Sequence, residues 1–550
     1  MRKHLINFSL LIVGIFLFAL PQPTFISITG IPFLAYFAFI PVFLLVNRSS
    51  WKTICLWGIA YGAGAYNLFT YWLSSFHPLG MILITCLYGF QFMILFPLLK
   101  SIPLLFKKNG WIVQWIVWCA YEYVKTLGYA GFNYGVIAYS QWRYPVIIQC
   151  VEIIGIWGLS AIISFPSAWL SKILEISFVT KDADISELKK SFLVQVKKHR
   201  ISGILWLLVF SATIVYGILS PIDYSQNKTF KVALMQTNTD PWKGGTNHYR
   251  QDLNTLIKFS DQALKENPKI NLVVWPETAF IPRIEWHYKY REDQQRYQLV
   301  MDLLNYLNSK KVPFLLGNDD GILAHRRDGT YDSVDYNAAL LFRPNENVIP
   351  PNPDKYHKVK LVPFTEYFPY EKQFPTIYKA LLNGDTHMWR PGDKSSTLKV
   401  DDFTFGTPIC FEDTFGYIGR NFVNNGAQAF VNLSNDAWSE SLACQYQHLS
   451  MAVFRCVENR VPAVRSTASG QTSIIDPNGK VIKMLEPFTS GYIVGDIPII
   501  NTPQKTVYTK YGDWTGNLFL LLSLFCIGIG IFLTINSYFK EKNNQEKEEK

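Results

Sequence analysis

Residues 403–413 read FTFGTPICFED, and this stretch puts a cysteine at the end of an apolar segment. The pattern of residues 404–409 predicts a strand of a layered α/β fold, in which functional groups lie at strand ends. A thiol at a strand-to-helix junction lies near backbone N–H groups and the helix dipole, which lower its pKa and favour the thiolate. Cys410 is therefore the candidate nucleophile.

Two further polar groups lie where such a fold places chemistry. Glu277 follows an apolar segment, residues 271–275 (NLVVW), and Lys358 lies in residues 356–369 (YHKVKLVPFTEYFP). A carboxylate near a thiol can take its proton, and a lysine can stabilise the oxyanion of a tetrahedral intermediate. With Cys410 these residues make a complete acyl-transfer set. Two neighbouring lysines compete for the oxyanion role, Lys355 and Lys360.

The surrounding residues alternate between strand and helix patterns, which predicts an α/β layered domain over about 221–512. Pro477–Asn478–Gly479–Lys480 is a hairpin signal between two short strand segments. The predicted strands are residues 230–236, 271–275, 312–317, 337–342, 404–409, 428–433, 472–476 and 481–485, and the predicted helices are 249–265, 297–310 and 447–458.

The rest of the chain is markedly apolar, and 49% of the 550 residues are hydrophobic. A membrane span needs about 20 mostly apolar residues. Eight runs approach that length: 5–20, 25–46, 53–74, 79–106, 111–126, 146–170, 202–220 and 515–537. We expect an α-helical transmembrane bundle of about eight helices, seven in residues 1–220 and one in 513–538, followed by a charged tail at 539–550.

The basic residues of the short loops fall in alternate loops of this predicted bundle, so those loops belong on the same side of the membrane. The loop with Lys125 and Arg143 near its ends is the exception. Both termini are then cytoplasmic, and the block at 221–512 is extracytoplasmic. The formal net charge of +10 lies largely in these loops, which is not the pattern of a nucleic-acid groove. The loop residues are Arg2, Lys3, Arg48, Lys52, Lys100, Lys107, Lys108, seven Lys and Arg between 172 and 200, and Lys540 and Lys542.

The cysteines form no spaced framework. Five of the eight lie in or beside apolar runs, and no CxxC or Cys/His pattern with zinc spacing occurs in the sequence. We expect no structural metal and no cofactor.

Taken together, the WPE, YxKxxLVPFxE and CxE motifs resemble those of the nitrilase, or carbon–nitrogen hydrolase, superfamily. With the flanking apolar runs, nearly the whole chain resembles the apolipoprotein N-acyltransferase family of the bacterial inner membrane. The resemblance extends to residues 432–438 (NLSNDAW) and 447–476. It implies that the block at 221–512 is an inserted αββα nitrilase-like sandwich.

The resemblance also implies roles for individual residues: Glu277 as general base, Lys358 as oxyanion stabiliser and Cys410 as nucleophile. Supporting roles fall to four more residues, Trp242, Glu366, Phe411 and Glu412. The chain departs from the family pattern at two positions. Thr365 stands where glycine is usual, and Phe411 stands where tyrosine is frequent and cannot donate a hydroxyl hydrogen bond.

The implied reaction is ping-pong. Cys410 attacks the sn-1 ester of a phospholipid and a thioester acyl-enzyme forms. The α-amine of a diacylglyceryl-modified cysteine on an apolipoprotein then takes the acyl chain, which completes lipoprotein maturation. Donor and acceptor are both membrane-anchored, which gives a reason for joining the catalytic domain to helices. We expect a monomer.

Three alternatives compete with this interpretation. A membrane-tethered amidase would use the same three residues with water as acceptor, although one anchoring helix would suffice. A transporter or receptor with a catalytically inactive module would be expected to lack at least one of the three. A Cys–His protease is the third, because that pairing has no fixed local spacing; its candidate histidines are His357, His387 and His448.

Overall fold

The structure is a computed structural model that describes residues 2–76, 78–106, 109–179, 185–325, 331–382, 386–500 and 505–548. The chain divides into two compact units. The first comprises Met1–Ser220, Leu442–Gln447 and Asp513–Lys550, and the second comprises Pro221–Ser441 and His448–Gly512.

Helices make up the first unit and also flank the sheets of the second. The α-helices are α1 Arg2–Ala19, α2 Ile40–Arg48, α3 Ile54–Phe69, α4 Leu73–Phe76, α5 Pro78–Leu105, α6 Gly110–Val124, α7 Pro145–Ile148, α8 Val151–Val179, α9 Ile185–Leu219, α10 Gly245–Glu266, α11 Ile284–Tyr290, α12 Gln294–Asn308, α13 Pro375–Leu382, α14 Gly416–Asn424, α15 Leu442–Asn459, α16 Val507–Tyr511 and α17 Trp514–Glu548. Four short 3₁₀ helices span Pro32–Phe37, Ile137–Gln141, Cys410–Thr414 and Ala437–Ser439.

Four helices within the described residues are long and apolar enough to cross a membrane: Gly80–Leu105, Val151–Glu175, Phe192–Leu219 and Trp514–Phe539. The expected count of about eight is not confirmed. Helices α3 and α6 have only 16 and 15 residues, fewer than the roughly 20 that a straight span needs. The apolar run at 25–46 folds as a 3₁₀ helix and the nine-residue α2, and both of these begin with a proline at their first turn.

The second unit contains three sheets. The strands are β1 Thr229–Gln236, β2 Leu272–Val274, β3 Phe314–His325, β4 Tyr331–Phe342, β5 Asp354–His357, β6 Leu398–Val400, β7 Phe403–Phe405, β8 Phe430–Ser434, β9 Ala463–Thr467, β10 Ser473–Ile475, β11 Val481–Met484 and β12 Gly491–Pro498. The six-stranded sheet has the order β12-β1-β2-β3-β4-β5, and the four-stranded sheet has the order β11-β10-β9-β8. Strands β6 and β7 form the two-stranded sheet.

The two larger sheets pack face to face between layers of helices. Ser466 of β9 donates from Oγ to the Met235 carbonyl of β1 at 2.8 Å and lies 3.1 Å from the Val274 carbonyl of β2. Leucines of α10 and α12 join Trp275 in the core on the outer face of the six-stranded sheet. Residues of α14, α15, β8 and β9 line one small cavity on the outer face of the other sheet. The unit is therefore an αββα sandwich.

Most predicted strands have counterparts, but two segments differ from expectation. β3 and β4 form an antiparallel hairpin whose register extends from Phe314↔Phe342 to His325↔Tyr331, well beyond the predicted 312–317 and 337–342. The predicted strand at 404–409 is too long: β7 ends at Phe405, and only isolated parallel bridges continue beside β8, from Gly406 and Ile409. Pro408 has no N–H to donate to a ladder. The hairpin of β10 and β11 is confirmed.

A glycine in β3 permits the turn that carries Glu277 to lie directly against the sheet. A β-carbon at Gly317 would come within 2.6 Å of the Glu277 Cα and the Pro276 carbonyl, both of which are backbone atoms. The Gly317 N–H donates to that carbonyl at 3.2 Å. Gly491 of β12 differs, because its β-carbon would meet only Leu485 at 3.9 Å.

We expect G317A to lower the free energy of unfolding by about 1–3 kcal/mol, because the added methyl displaces backbone in a close-packed interior. The thermal unfolding midpoint in detergent measures this effect. G491A is the matched control, since an ordinary van der Waals contact receives its methyl group. Equal midpoints for the two variants would contradict the close approach.

Candidate active site

Glu277 lies just beyond β2, in a turn that is held against β3. The residue is 5% exposed. Oε1 accepts from Asn337 Nδ2 at 2.7 Å and from Lys358 Nζ at 3.2 Å. The following residue, Thr278, has φ of +47°, a left-handed conformation that costs a non-glycine residue about 1–2 kcal/mol. The turn therefore directs Glu277 toward the other candidate residues.

Lys358 directly follows β5 and is fully buried. Its backbone N–H donates to the Asn337 carbonyl of β4 at 2.9 Å, which fixes its position. Nζ contacts Glu277 Oε1 and lies 2.8 Å from Glu366 Oε1. Burial alone would lower the pKa of Lys358, but the carboxylates of Glu277 and Glu366 outweigh it and hold the pKa above its usual range. The side chain is therefore an ammonium ion.

Glu366 closes the carboxylate–lysine–carboxylate arrangement. Its second oxygen, Oε2, accepts from the Val362 N–H at 2.9 Å. Burial raises the pKa of Glu366, and the Lys358 ammonium opposes that rise. One ammonium thus lies between two carboxylates. A buried charge needs a nearby group of opposite charge, and this arrangement provides it.

Cys410 is the first residue of a one-turn 3₁₀ helix and has φ of +48°. Burial raises the pKa of its thiol well above the ordinary value; Glu277 adds to the rise and Lys358 opposes it. The expectation that the strand-to-helix junction lowers this pKa is wrong. The helix that follows has only five residues, so its dipole is too small to offset desolvation. The resting thiol is protonated and needs a base.

Glu412 holds the backbone around the cysteine and is fully buried. Oε2 accepts from the Ile409 N–H at 2.8 Å, and Oε1 accepts from the N–H groups of Val359 and Lys360 at 2.7 and 3.0 Å. The Tyr356 hydroxyl donates to the same carboxylate. Burial raises the pKa of Glu412 to about 7, and the backbone donors limit the rise. Glu412 thereby joins the Cys410 turn to the segment that carries Lys358.

Phe411 and Trp242 make aromatic contacts at the edges of this arrangement. Phe411 is buried, with its ring centroid 4.9 Å from that of Phe415. Trp242 stacks on His387 at 3.7 Å between centroids and lies 5.8 Å from Trp389. The backbone N–H of Trp389 donates to the Glu366 carbonyl at 2.8 Å. The backbone that carries His387 and Trp389 therefore lies beside Glu366.

The two lysines that compete with Lys358 are engaged by other groups. Lys355 Nζ pairs with Glu285 at 2.6 Å and with Asp320 at 3.2 Å. Lys360 Nζ lies 5.2 Å from the Phe415 ring centroid. Lys358 is thus the lysine that contacts Glu277.

The histidines of the Cys–His alternative do not have the geometry of a base. His357 Nε2 lies 2.8 Å from Asp320, and His387 stacks on Trp242. His448 Nδ1 lies 3.0 Å from Asp436 and Nε2 lies 2.7 Å from Asp413. Because carboxylates only accept, both nitrogens of His448 carry protons, and this ring cannot receive another from the thiol.

Two site features are absent from the sequence-based prediction. Asn337 contacts Glu277 through its side chain and Lys358 through its carbonyl. It lies in β4 among polar as well as apolar residues, so no local pattern marks it. The charged cluster of Asp413, Asp436, His448 and Arg465 is the second, since four separate segments supply it.

Among the residues that the structure describes, no group of three or more His, Cys, Asp and Glu side chains could hold a metal ion. The groups that the described site does bring together are a thiol, carboxylates and an ammonium ion. These groups suit attack on an acyl carbon.

Comparisons with known proteins find matches to both parts of the chain. The carbon-nitrogen hydrolase family model matches residues 231–503, and the model of the apolipoprotein N-acyltransferase N-terminal domain matches residues 14–169. Apolipoprotein N-acyltransferase 1 of Treponema denticola is 44% identical over 97% of this chain and 97% of its own length. Apolipoprotein N-acyltransferase 1 of Treponema pallidum is 45% identical over 96% of this chain and 96% of its own length.

Solved structures of carbon-nitrogen hydrolases are similar to about half of this chain. A carbon-nitrogen hydrolase from Helicobacter pylori G27 covers 52% of this chain and 94% of its own, with 12% identity and a TM-score of 0.37. A similarity this low has no bearing on activity.

The contact between Asn337 and Glu277 leads to a test by alkylation. We expect N337A to slow modification of Cys410 by iodoacetamide by up to about 10²-fold, because a base without its orienting donor is displaced. Mass spectrometry of the peptide containing Cys410 follows the reaction.

N347A is the control for this measurement. Asn347 also makes amide hydrogen bonds, to Arg343 N and Leu341 O, but it has no contact with Glu277. Equal alkylation rates in N337A and N347A would mean that Asn337 does not orient the base.

Proposed function

The chain belongs to the apolipoprotein N-acyltransferase family, and on that premise we propose that it transfers an acyl chain from the sn-1 position of a phospholipid to a lipoprotein. The acceptor is the α-amino group of the N-terminal S-diacylglyceryl-cysteine of an apolipoprotein. The observation that carries this proposal is the buried contact of Lys358 with Glu277 and Glu366, close enough to Cys410 to affect the pKa of its thiol.

In the first half-reaction, Glu277 takes the proton of the Cys410 thiol as sulfur attacks the ester carbonyl. Lys358 stabilises the negative charge that forms on the carbonyl oxygen. The C–O bond to glycerol then breaks, and Glu277 returns its proton to the departing oxygen. The products are a lysophospholipid and a thioester at Cys410.

In the second half-reaction, the neutral α-amine of the acceptor attacks the thioester carbon and Glu277 removes a proton from the nitrogen. Lys358 again stabilises the oxyanion. The C–S bond breaks, the amide forms, and the proton held by Glu277 returns to the Cys410 sulfur. Every group ends in its starting state, so the cycle consumes no cofactor.

The environment of Lys358 suits both steps. Its raised pKa keeps the ammonium charged before an oxyanion exists. Two carboxylates compensate that charge in the resting site. Glu366 and Glu412 act as supporting residues, as do Phe411 and Trp242 at the rim.

We also propose the organisation of the chain. Residues 1–220 and 513–538 form the transmembrane part, residues 221–512 form an extracytoplasmic catalytic domain, and 539–550 are a cytoplasmic tail. The basic residues in alternate loops support this orientation in a bacterial cytoplasmic membrane. The enzyme acts as a monomer.

Covalent labelling tests the nucleophile. We expect the purified protein in detergent to take radioactive label from a phospholipid labelled in its sn-1 acyl chain, and hydroxylamine to release that label as a thioester. C410A takes no label, and C456A, at a buried cysteine of α15, takes the wild-type amount. A diacylglyceryl-cysteine peptide then discharges the label as an amide.

The same preparation separates the tethered amidase from the acyltransferase. Release of ammonia from small amides, with no label from any phospholipid, would replace the acyltransferase with a hydrolase.

The oxyanion role is tested with two lysines of one segment. We expect K358M to slow thioester formation about 10²–10³-fold, the usual loss when one oxyanion donor is removed. K355M removes an equal charge three residues away, from a side chain paired with Glu285 and Asp320, and should label at the wild-type rate. Similar losses in both variants would contradict a specific role for Lys358.

A further inference from the structure

Four charged side chains lie behind the cysteine turn, the one-turn 3₁₀ helix that begins at Cys410. The proposed chemistry uses none of them. All are buried, none being more than 5% exposed, and the four come from separate elements. Asp413 lies in the 3₁₀ helix that begins at Cys410, Asp436 lies beyond β8, His448 lies in α15 and Arg465 lies in β9.

We propose that His448 is a positioning residue, which holds the backbone carbonyl of Cys410 and thereby fixes the direction of the nucleophile. This inference rests on the proposed role of Cys410 as the nucleophile. His448 acts through the cysteine turn and does not itself touch the substrate.

The contacts of the imidazole ring carry the inference. Nε2 lies 2.7 Å from Asp413 Oδ1 and 3.2 Å from the Cys410 carbonyl oxygen, so one N–H is shared between them. Nδ1 lies 3.0 and 3.2 Å from the two carboxylate oxygens of Asp436. Every partner is an acceptor, so the ring is an imidazolium with two donors.

The surrounding charges sustain this protonation state. Burial lowers the pKa of His448, but Asp436, the bond to the Cys410 carbonyl and Glu277 outweigh burial and raise it. Arg465 pairs with Asp413 and lies 3.8 Å from Asp436. Two cations therefore face two carboxylates, and the cluster is neutral as a whole.

The cysteine turn requires such support. Cys410 is left-handed, with φ of +48°, and a residue with a side chain persists in that region only where its surroundings enforce it. Glu412 fixes the preceding residue by accepting from the Ile409 N–H. His448 fixes the carbonyl of Cys410 itself, and therefore the peptide plane and the direction of its side chain.

The experiment compares three variants. H448L/D436N removes both donors of the ring and one carboxylate, which leaves Arg465 opposite Asp413 and keeps the cluster neutral. H448Q keeps one amide donor near the carbonyl. H287L is the matched control, because His287 of α11 is also buried, at 6% exposed, but neither of its ring nitrogens has a hydrogen-bond partner among the described residues.

Three quantities are measured for each variant: the thermal unfolding midpoint, the rate of thioester formation from the labelled phospholipid, and the rate of iodoacetamide modification of Cys410. We expect H448L/D436N to unfold near the wild-type midpoint but to form thioester about 10²-fold more slowly, since a misplaced nucleophile loses its alignment with the base. Alkylation of Cys410 should slow in parallel. H448Q should lose less than the double variant, and H287L should match the wild type.

Two results would overturn the proposal. One is a double variant with wild-type rates. The other is a loss of rate only in proportion to the loss of folded protein. If the double variant does not fold, H448A, which also removes both ring donors, takes its place: a wild-type midpoint with wild-type rates would exclude a positioning role.

Failure of the proposed function would look different. The wild type would then form no thioester, while the alkylation rates would still show whether His448 controls the reactivity of Cys410.

Discussion

The buried ammonium of Lys358 is the constraint on which the catalytic unit depends. A charge taken out of water must be compensated, and here Glu277 and Glu366 provide the compensation from two other parts of the chain. The arrangement therefore requires the end of β2, the end of β5 and the segment after Lys358 to converge. The same pairing keeps the lysine charged, so the requirement for stability and the requirement for an oxyanion partner are met by one contact. Removing Lys358 would leave two buried carboxylates without their shared counter-charge.

The backbone around the site is as specialised as its side chains. Gly317 permits the Glu277 turn to lie against β3, and Glu412 accepts from the N–H groups of two separate segments. Thr278 and Cys410 both have positive φ. Conformations of this kind are unfavourable for residues with side chains and persist only where hydrogen bonds and packing over-determine them. The site is therefore held by a rigid surround rather than by the strands alone.

The sequence was sufficient for the residues that lie at strand ends. Glu277 and Cys410 each follow an apolar segment, and the geometry of layered sheets brings such ends together. Lys358 follows the polar strand DKYH, and its motif, with its resemblance to the nitrilase superfamily, singled it out. The sequence was insufficient where tertiary contacts determine which residues belong to the site. Asn337 and the cluster around His448 carry no local pattern, because their partners are distant in sequence. The predicted lowering of the Cys410 pKa was wrong, because burial of the thiol outweighed the dipole of a one-turn helix. The sequence does not show how deeply a thiol is buried. The bundle of about eight helices stays a prediction, because several apolar runs form helices shorter than a membrane span.

The raised pKa of Cys410 has a consequence for the lifetime of the enzyme. Oxidants attack the thiolate far more readily than the thiol, and sulfinic and sulfonic acids are irreversible products. Burial and the nearby carboxylate keep sulfur protonated until an acyl carbonyl is in place. A catalytic domain outside the cytoplasm, where thiols are not maintained by cytosolic reductants, would then resist peroxide between turnovers. The burial that would weaken the proposed nucleophile at rest would also preserve it chemically.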